Sequence, residues 1–143
     1  MNTQKYMDIA RSVAQLSKDE TKVGAIVIGP SKEIRSLGYN GAPRGCAADE
    51  DERRNRPEKY FWFSHAEANV ITNAARVGTQ LEGCTMLVTH FPCMDCARAI
   101  VQAGIKRVIV SAMTDEFQER WKAHIERSTR LFNECGVEVE WAN

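Results

Sequence analysis

Arg107-Val108-Ile109-Val110, a helical stretch from Glu116 to Cys135, and then Gly136-Val137-Glu138-Val139-Glu140-Trp141 decide the architecture. In the middle piece Trp121, Ile125, Phe132 and Cys135 recur at helical spacing, and Gly136 marks the stop. The flanking pieces are short β-prone runs. A connection long enough to hold a helix lets the final strand return parallel to the one before it, whereas a hairpin would force antiparallel pairing.

Upstream, the same alternation continues. Tyr6, Ile9, Ala10, Val13 and Leu16 form the stripe of an amphipathic helix ending near Ser17-Lys18-Asp19. Val23 to Ile28 and Ile34 to Tyr39 are strands joined through Gly29-Pro30-Ser31-Lys32, a hairpin. A helix after His65 (Ala68, Ile71, Ala75) leads through Gly78 to a strand at Thr85 to Thr89, and a second helix (Ala97, Ile100, Val101) leads through Gly104 to the strand at Arg107. The expected fold is α/β: three layers, α/β/α, around a mixed five-stranded sheet whose last two strands are parallel. All 143 residues fit one domain, long enough to bury roughly two-thirds of the unfolded surface.

Two short segments carry the chemistry: His65-Ala66-Glu67 and Pro92-Cys93-Met94-Asp95-Cys96. One imidazole and two thiolates fill three tetrahedral zinc positions and leave the fourth for water, while a structural zinc site closes with a fourth protein ligand. Either segment alone is weak, since a lone C-x-x-C also suits a redox pair or half a zinc ribbon. Together they match H-x-E…P-C-x-x-C, the arrangement of zinc nucleobase deaminases, with Glu67 as proton shuttle and not as ligand. Both segments open helices, Cys93 after a proline and His65 after Ser64, which reads as an N-cap with Glu67 completing a capping box. Ser64 and Asp95 also suit orientation of the ligands, with capping the simpler reading.

Lys plus Arg and Asp plus Glu both number 19, so the net charge is zero and the basic excess of a nucleic-acid-tracking protein is missing. A small substrate fits better than a polymer. Met1 to Tyr6 has no apolar signal core, and no apolar run approaches the ~18 residues of a membrane span. Five cysteines, two of them committed to metal, suit a reducing compartment, with Cys46, Cys84 and Cys135 as core or loop thiols. A cytoplasmic location is expected.

The ordered set Ser17-Lys18-Asp19, Val23-Gly24-Ala25, Gly38-Tyr39-Asn40-Gly41-Ala42-Pro43-Arg44-Gly45, His65-Ala66-Glu67, Pro92-Cys93-Met94-Asp95-Cys96 and Gln102-Ala103-Gly104-Ile105-Lys106 resembles the deoxycytidylate (dCMP) deaminases of the cytidine deaminase-like superfamily. The resemblance runs from about Ser17 to Val139. It implies zinc-dependent hydrolysis of dCMP to dUMP and ammonia, supplying dUMP for thymidylate synthesis, and commonly a homohexamer. It implies activation by dCTP and inhibition by dTTP, each with a divalent metal such as Mg2+, at a second site involving Tyr39, Asn40 and Gly41. It also implies that Asn40 reaches the sugar, although the residues alone favour a turn asparagine beside Gly41, and that the backbone near Ala66 reads the pyrimidine edge.

The monophosphate needs cations, and Lys22, Arg44, Arg53, Arg54 and Arg56 are candidates, though most arginines in Asp49 to Lys59 equally suit a solvated loop face. Tyr60-Phe61-Trp62-Phe63 read as a subunit contact. His90 stands where it could line the pocket or simply end a strand, and strand termination is preferred. Some relatives hold a second, structural zinc, which would need extra Cys or His in the early insert, where only Cys46 is available. One zinc per chain is expected. Deamination of another cytosine nucleoside or nucleotide, or of tRNA adenosine, shares the zinc motif. A structural zinc module that binds a partner is the non-enzyme alternative, and Glu67 argues against it.

Overall fold

The computed structural model describes residues 1–142. Five strands, β1 (Gly24–Ile28), β2 (Ile34–Tyr39), β3 (Thr85–Val88), β4 (Arg107–Ser111) and β5 (Glu138–Ala142), form one sheet in the order β2-β1-β3-β4-β5. β1 is antiparallel to both β2 and β3, with Ile26 opposite Leu37 on one side and Leu87 on the other. β3, β4 and β5 run parallel, pairing Met86 with Val108 and Val108 with Val139. The long helical connection after β4 therefore returns the chain as expected, and Gly136 accepts the left-handed φ of +72° that turns it into β5.

Strand alternation sends side chains to two faces. On one, helix α1 (Thr3–Ala14) buries Met7, Ala10 and Val13 against Ile26, Leu87 and Ile109. On the other, α3 (Ala66–Val77), α4 (Met94–Gln102) and α6 (Lys122–Glu134) cover Val27, Met86, Val88, Val108 and Val110 with Val70, Ile100 and Phe132. The layers are α/β/α. A Cβ on Gly38 would stand 2.7 Å from the Val70 backbone nitrogen, so the glycine lets α3 lie directly on β2, and Ser36 seals the contact by donating to the Val70 carbonyl at 2.8 Å. That close seat holds the start of α3 over the sheet.

The loop between β2 and α3 carries two 3-10 turns (Ala48–Glu50 and Glu52–Arg54) and one short helix, α2 (Lys59–Trp62). Three sequence expectations change. The stretch from Glu116 is two helices, α5 (Asp115–Arg120) and α6, broken at Trp121, whose backbone (φ −100°, ψ 10°) leaves the helical region. Cys135 is exposed just past α6 and adds nothing to the core. Ser64 does not cap α3: its N–H and C=O pair with Gly41 (2.8 and 3.1 Å), so His65 is the N-cap residue and no capping box forms. Among the described residues no helix is long and apolar enough to cross a membrane.

Candidate active site

The starts of α3 and α4 meet on the same face of the sheet. His65 and Cys93 are the N-cap residues of the two helices, and their side chains face each other. Cys96 follows one turn into α4. His65 Nδ1 lies 3.4 Å from Cys93 Sγ and 3.4 Å from Cys96 Sγ, and the three donor atoms lie within 4.8 Å of one another. Zinc at ordinary bond lengths in a tetrahedron separates nitrogen and sulfur ligands by about 3.5 Å, so the donor set fits that ion. Ser128, fully buried on α6, donates to the Pro92 carbonyl at 2.9 Å and fixes the approach to Cys93.

Glu67 is buried beside this cluster. Burial pushes its carboxyl up to about 7. The hydrogen bond with Cys93, and then the Glu67 charge, lift His65 to about 9. Hydrogen bonds from Cys96 and then His65 hold Cys93 down to about 4, while the Cys93 thiolate and burial push the Cys96 thiol up. Without a metal the cluster is thus a thiolate stabilised by a protonated neighbour on each side. At neutral pH Glu67 is poised both to take and to give a proton.

A cleft of about 170 Å³ is lined both by this cluster and by residues of the loop before α3. Its wall includes His65, Ala66, Glu67 and Cys93 and also a second set, Asp19, Thr21, Asn40, Arg56 and Lys59. Asn40 is buried and acts as a brace. Its Oδ1 accepts from the Val23 N–H (2.9 Å), and its Nδ2 donates to the Thr21 carbonyl (2.8 Å) and Asp19 (3.4 Å). It is more than a turn residue. Lys59 and Asp19, both buried, form an ion pair at 2.9 Å across 40 positions of sequence.

Of the five cations considered for phosphate, only Arg56 lines the cleft. Lys22 is exposed outside it, Arg44 donates to Asn73 on α3 at 2.6 Å, and Arg53 is engaged by Asp51 while its guanidinium lies 4.6 Å from the Trp62 ring centroid. Arg54 does not line it either. Lys59 was not among those candidates, because nothing near it in the sequence signals a pair with Asp19. His90 does line the cleft, its ring edge-on to Trp121 at 5.4 Å, and Trp121 carries a buried indole N–H with no hydrogen-bond partner among the described residues. Tyr60 and Phe63 line the cleft, whereas Phe61 is 81% exposed. Tyr39 is exposed at the end of β2, and Gly41 is bridged to Ser64.

Residues 1–112 match the sequence model of the cytidine and deoxycytidylate deaminase zinc-binding region. The chain belongs to this deaminase family. It is 42% identical over 140 residues to an uncharacterized deaminase in the luxG 3' region of Aliivibrio fischeri, covering 96% of this chain and 90% of that protein. It is 41% identical to human deoxycytidylate deaminase over 92% of this chain and 74% of the human one. The crystal structure of the dCMP deaminase of cyanophage S-TIM5 in complex with dCMP and dUMP superposes with a TM-score of 0.78 at 30% identity, covering 98% of this chain and 96% of the phage chain. The cytidine deaminase-like fold is thereby established for the α/β/α architecture described above.

Proposed function

We propose that this deaminase hydrolyses dCMP to dUMP and ammonia, with zinc held by His65, Cys93 and Cys96 and with Glu67 as the catalytic proton shuttle. The observation that carries the reading is a buried carboxylate beside a three-donor cluster in a cleft that Arg56 and Lys59 also line. The human and cyanophage relatives, both deoxycytidylate deaminases, support the same substrate. Zinc there supplies a Lewis acid and a water of lowered pKa.

The chain's own groups do the rest. Glu67 takes the proton of the attacking water and hands it to ring N3, making C4 electrophilic. It then takes the proton of the C4 hydroxyl and delivers it to the departing amine, so the C4–N bond breaks as the C4 carbonyl forms and ammonia leaves. The Ala66 backbone reads the pyrimidine edge. Asn40 Oδ1, having accepted from Val23, keeps one lone pair for a sugar hydroxyl. Release of ammonia from dCMP, deoxycytidine and a tRNA substrate, measured in parallel on zinc-loaded protein with dCTP added or omitted, tests the reading: selective turnover of dCMP is expected, and silence on all three with dCTP present would return the chain to a structural zinc module.

The proposal extends to regulation. A triphosphate effector with Mg2+, dCTP activating and dTTP inhibiting, would sit against Tyr39, Asn40 and Gly41 in a homohexamer. The paired hydrogen bonds between Gly41 and Ser64, the residue before His65, offer a route from that turn to the reacting end. Sigmoidal dependence on dCMP that shifts with dCTP is expected, and effector-blind hyperbolic kinetics would reject it.

A further inference from the structure

The cleft wall has donors to spare outside the cluster of His65, Cys93 and Glu67. Lys59 is more than nine-tenths buried, yet its ammonium makes one hydrogen bond, to Asp19 Oδ1 at 2.9 Å. An ammonium has three donors, and leaving two without acceptors in a buried setting is costly unless a ligand supplies the acceptors. Asp19 itself is held in place, accepting from the Thr21 N–H at 3.1 Å and from Asn40 at 3.4 Å. Lys59 is therefore set in a fixed position facing the cleft and is not a mobile surface cation.

Arg56, three residues before Lys59, lines the same cleft and has no ion pair or hydrogen bond to any described residue. Its guanidinium brings five more donors in a planar fork suited to phosphate. Asp19 balances Lys59, so Arg56 leaves this part of the wall with one uncompensated positive charge. A phosphate monoester carries about −1.5 to −2 at neutral pH and presents three acceptor oxygens. The match is one of charge and of donor number.

We infer that Arg56 and Lys59, the latter oriented by Asp19, form the subsite for the monophosphate of the nucleotide, with Arg56 deciding between nucleotide and nucleoside. The inference rests on the deamination reading and deepens it. Because the same cleft continues to Glu67 and His65, an anion fixed here holds the attached base toward the reacting end. Charge in the Asp49 to Lys59 loop then has two fates: Arg53 is consumed within the loop by Asp51, and Arg56 is left for a ligand.

Calorimetric titration of the zinc-loaded protein with dUMP and with deoxyuridine tests this without turnover. The parent should prefer dUMP by about 10- to 100-fold, the worth of one or two charge-assisted hydrogen bonds. Arg56→Gln should cut that preference at least tenfold while affinity for deoxyuridine stays within about twofold. Arg56→Lys, which keeps the charge and loses the fork, should restore part of it. An Arg56→Gln protein that keeps the full preference, or that loses both ligands equally, would overturn the assignment. Failure of the deamination reading looks different: the parent would prefer dUMP and still release no ammonia from dCMP.

Discussion

At one end of the cleft His65, Cys93, Cys96 and Glu67 crowd together, and each displaces the protonation of its neighbours: two thiols of one motif are driven in opposite directions, and a carboxyl is lifted to about 7. At the other end Asp19 and Lys59, equally buried, meet as one matched pair braced by Asn40. The reacting group holds its thiolate by sharing protons with its neighbours and must shed them to take a metal; the Asp19–Lys59 pair is balanced within the folded chain, and Arg56 beside the same cleft has donors left over. Catalytic poise and substrate recognition are thus built by different means. One depends on what is loaded, and the other is present as soon as the chain folds.

The comparison breaks most visibly at Glu67. Glu67→Gln keeps the shape and removes the proton carrier, so turnover should fall about 10²- to 10⁴-fold while zinc content and melting temperature hold. Steady-state rates with metal analysis check it, and a rate near that of the parent would remove Glu67 from its role. At the binding end the expected loss is in stability. Lys59→Met strands the buried Asp19 carboxylate and should cost about 3 kcal/mol in urea unfolding. A loss below about 1 kcal/mol would mean the pair behaves like a surface salt bridge.

The smallest effect sharpens the protonation contrast. Metal ligands must shed their protons, and at neutral pH His65 and Cys96 hold theirs while Cys93 is already a thiolate. Zinc uptake should release about two protons, one from His65 and one from Cys96, with a fraction more from Glu67. Affinity should therefore rise with pH, and less steeply above His65's value of about 9, where Cys96 alone still has a proton to lose. Proton release measured calorimetrically in two buffers reads the number directly, and no release would contradict the shared-proton picture.

What could be read from the sequence divides along the same line. The metal-type cluster was legible because two helix starts each bring their residues together locally, and the parallel direction of the last strand followed from the length of the connection after β4. Long-range contacts were not legible. Ser64 looks like an N-cap until Gly41, in another segment, takes its backbone groups. Lys59 looks like one more charge on a solvated loop until α2 buries it against Asp19. The helix from Glu116 reads as continuous because its apolar spacing is unbroken, but Trp121 leaves the helical region and its ring packs against His90 in the cleft wall. His90, read as a strand terminator, lines the cleft for the same reason.

The most direct test of a cleft that reacts at one end and holds phosphate at the other is a crystal structure of the zinc-loaded Glu67→Gln protein with dCMP. The account predicts cytosine C4 facing the His65, Cys93 and Cys96 end with the phosphate between Arg56 and Lys59. A phosphate held elsewhere, or a base outside the cleft, would contradict it.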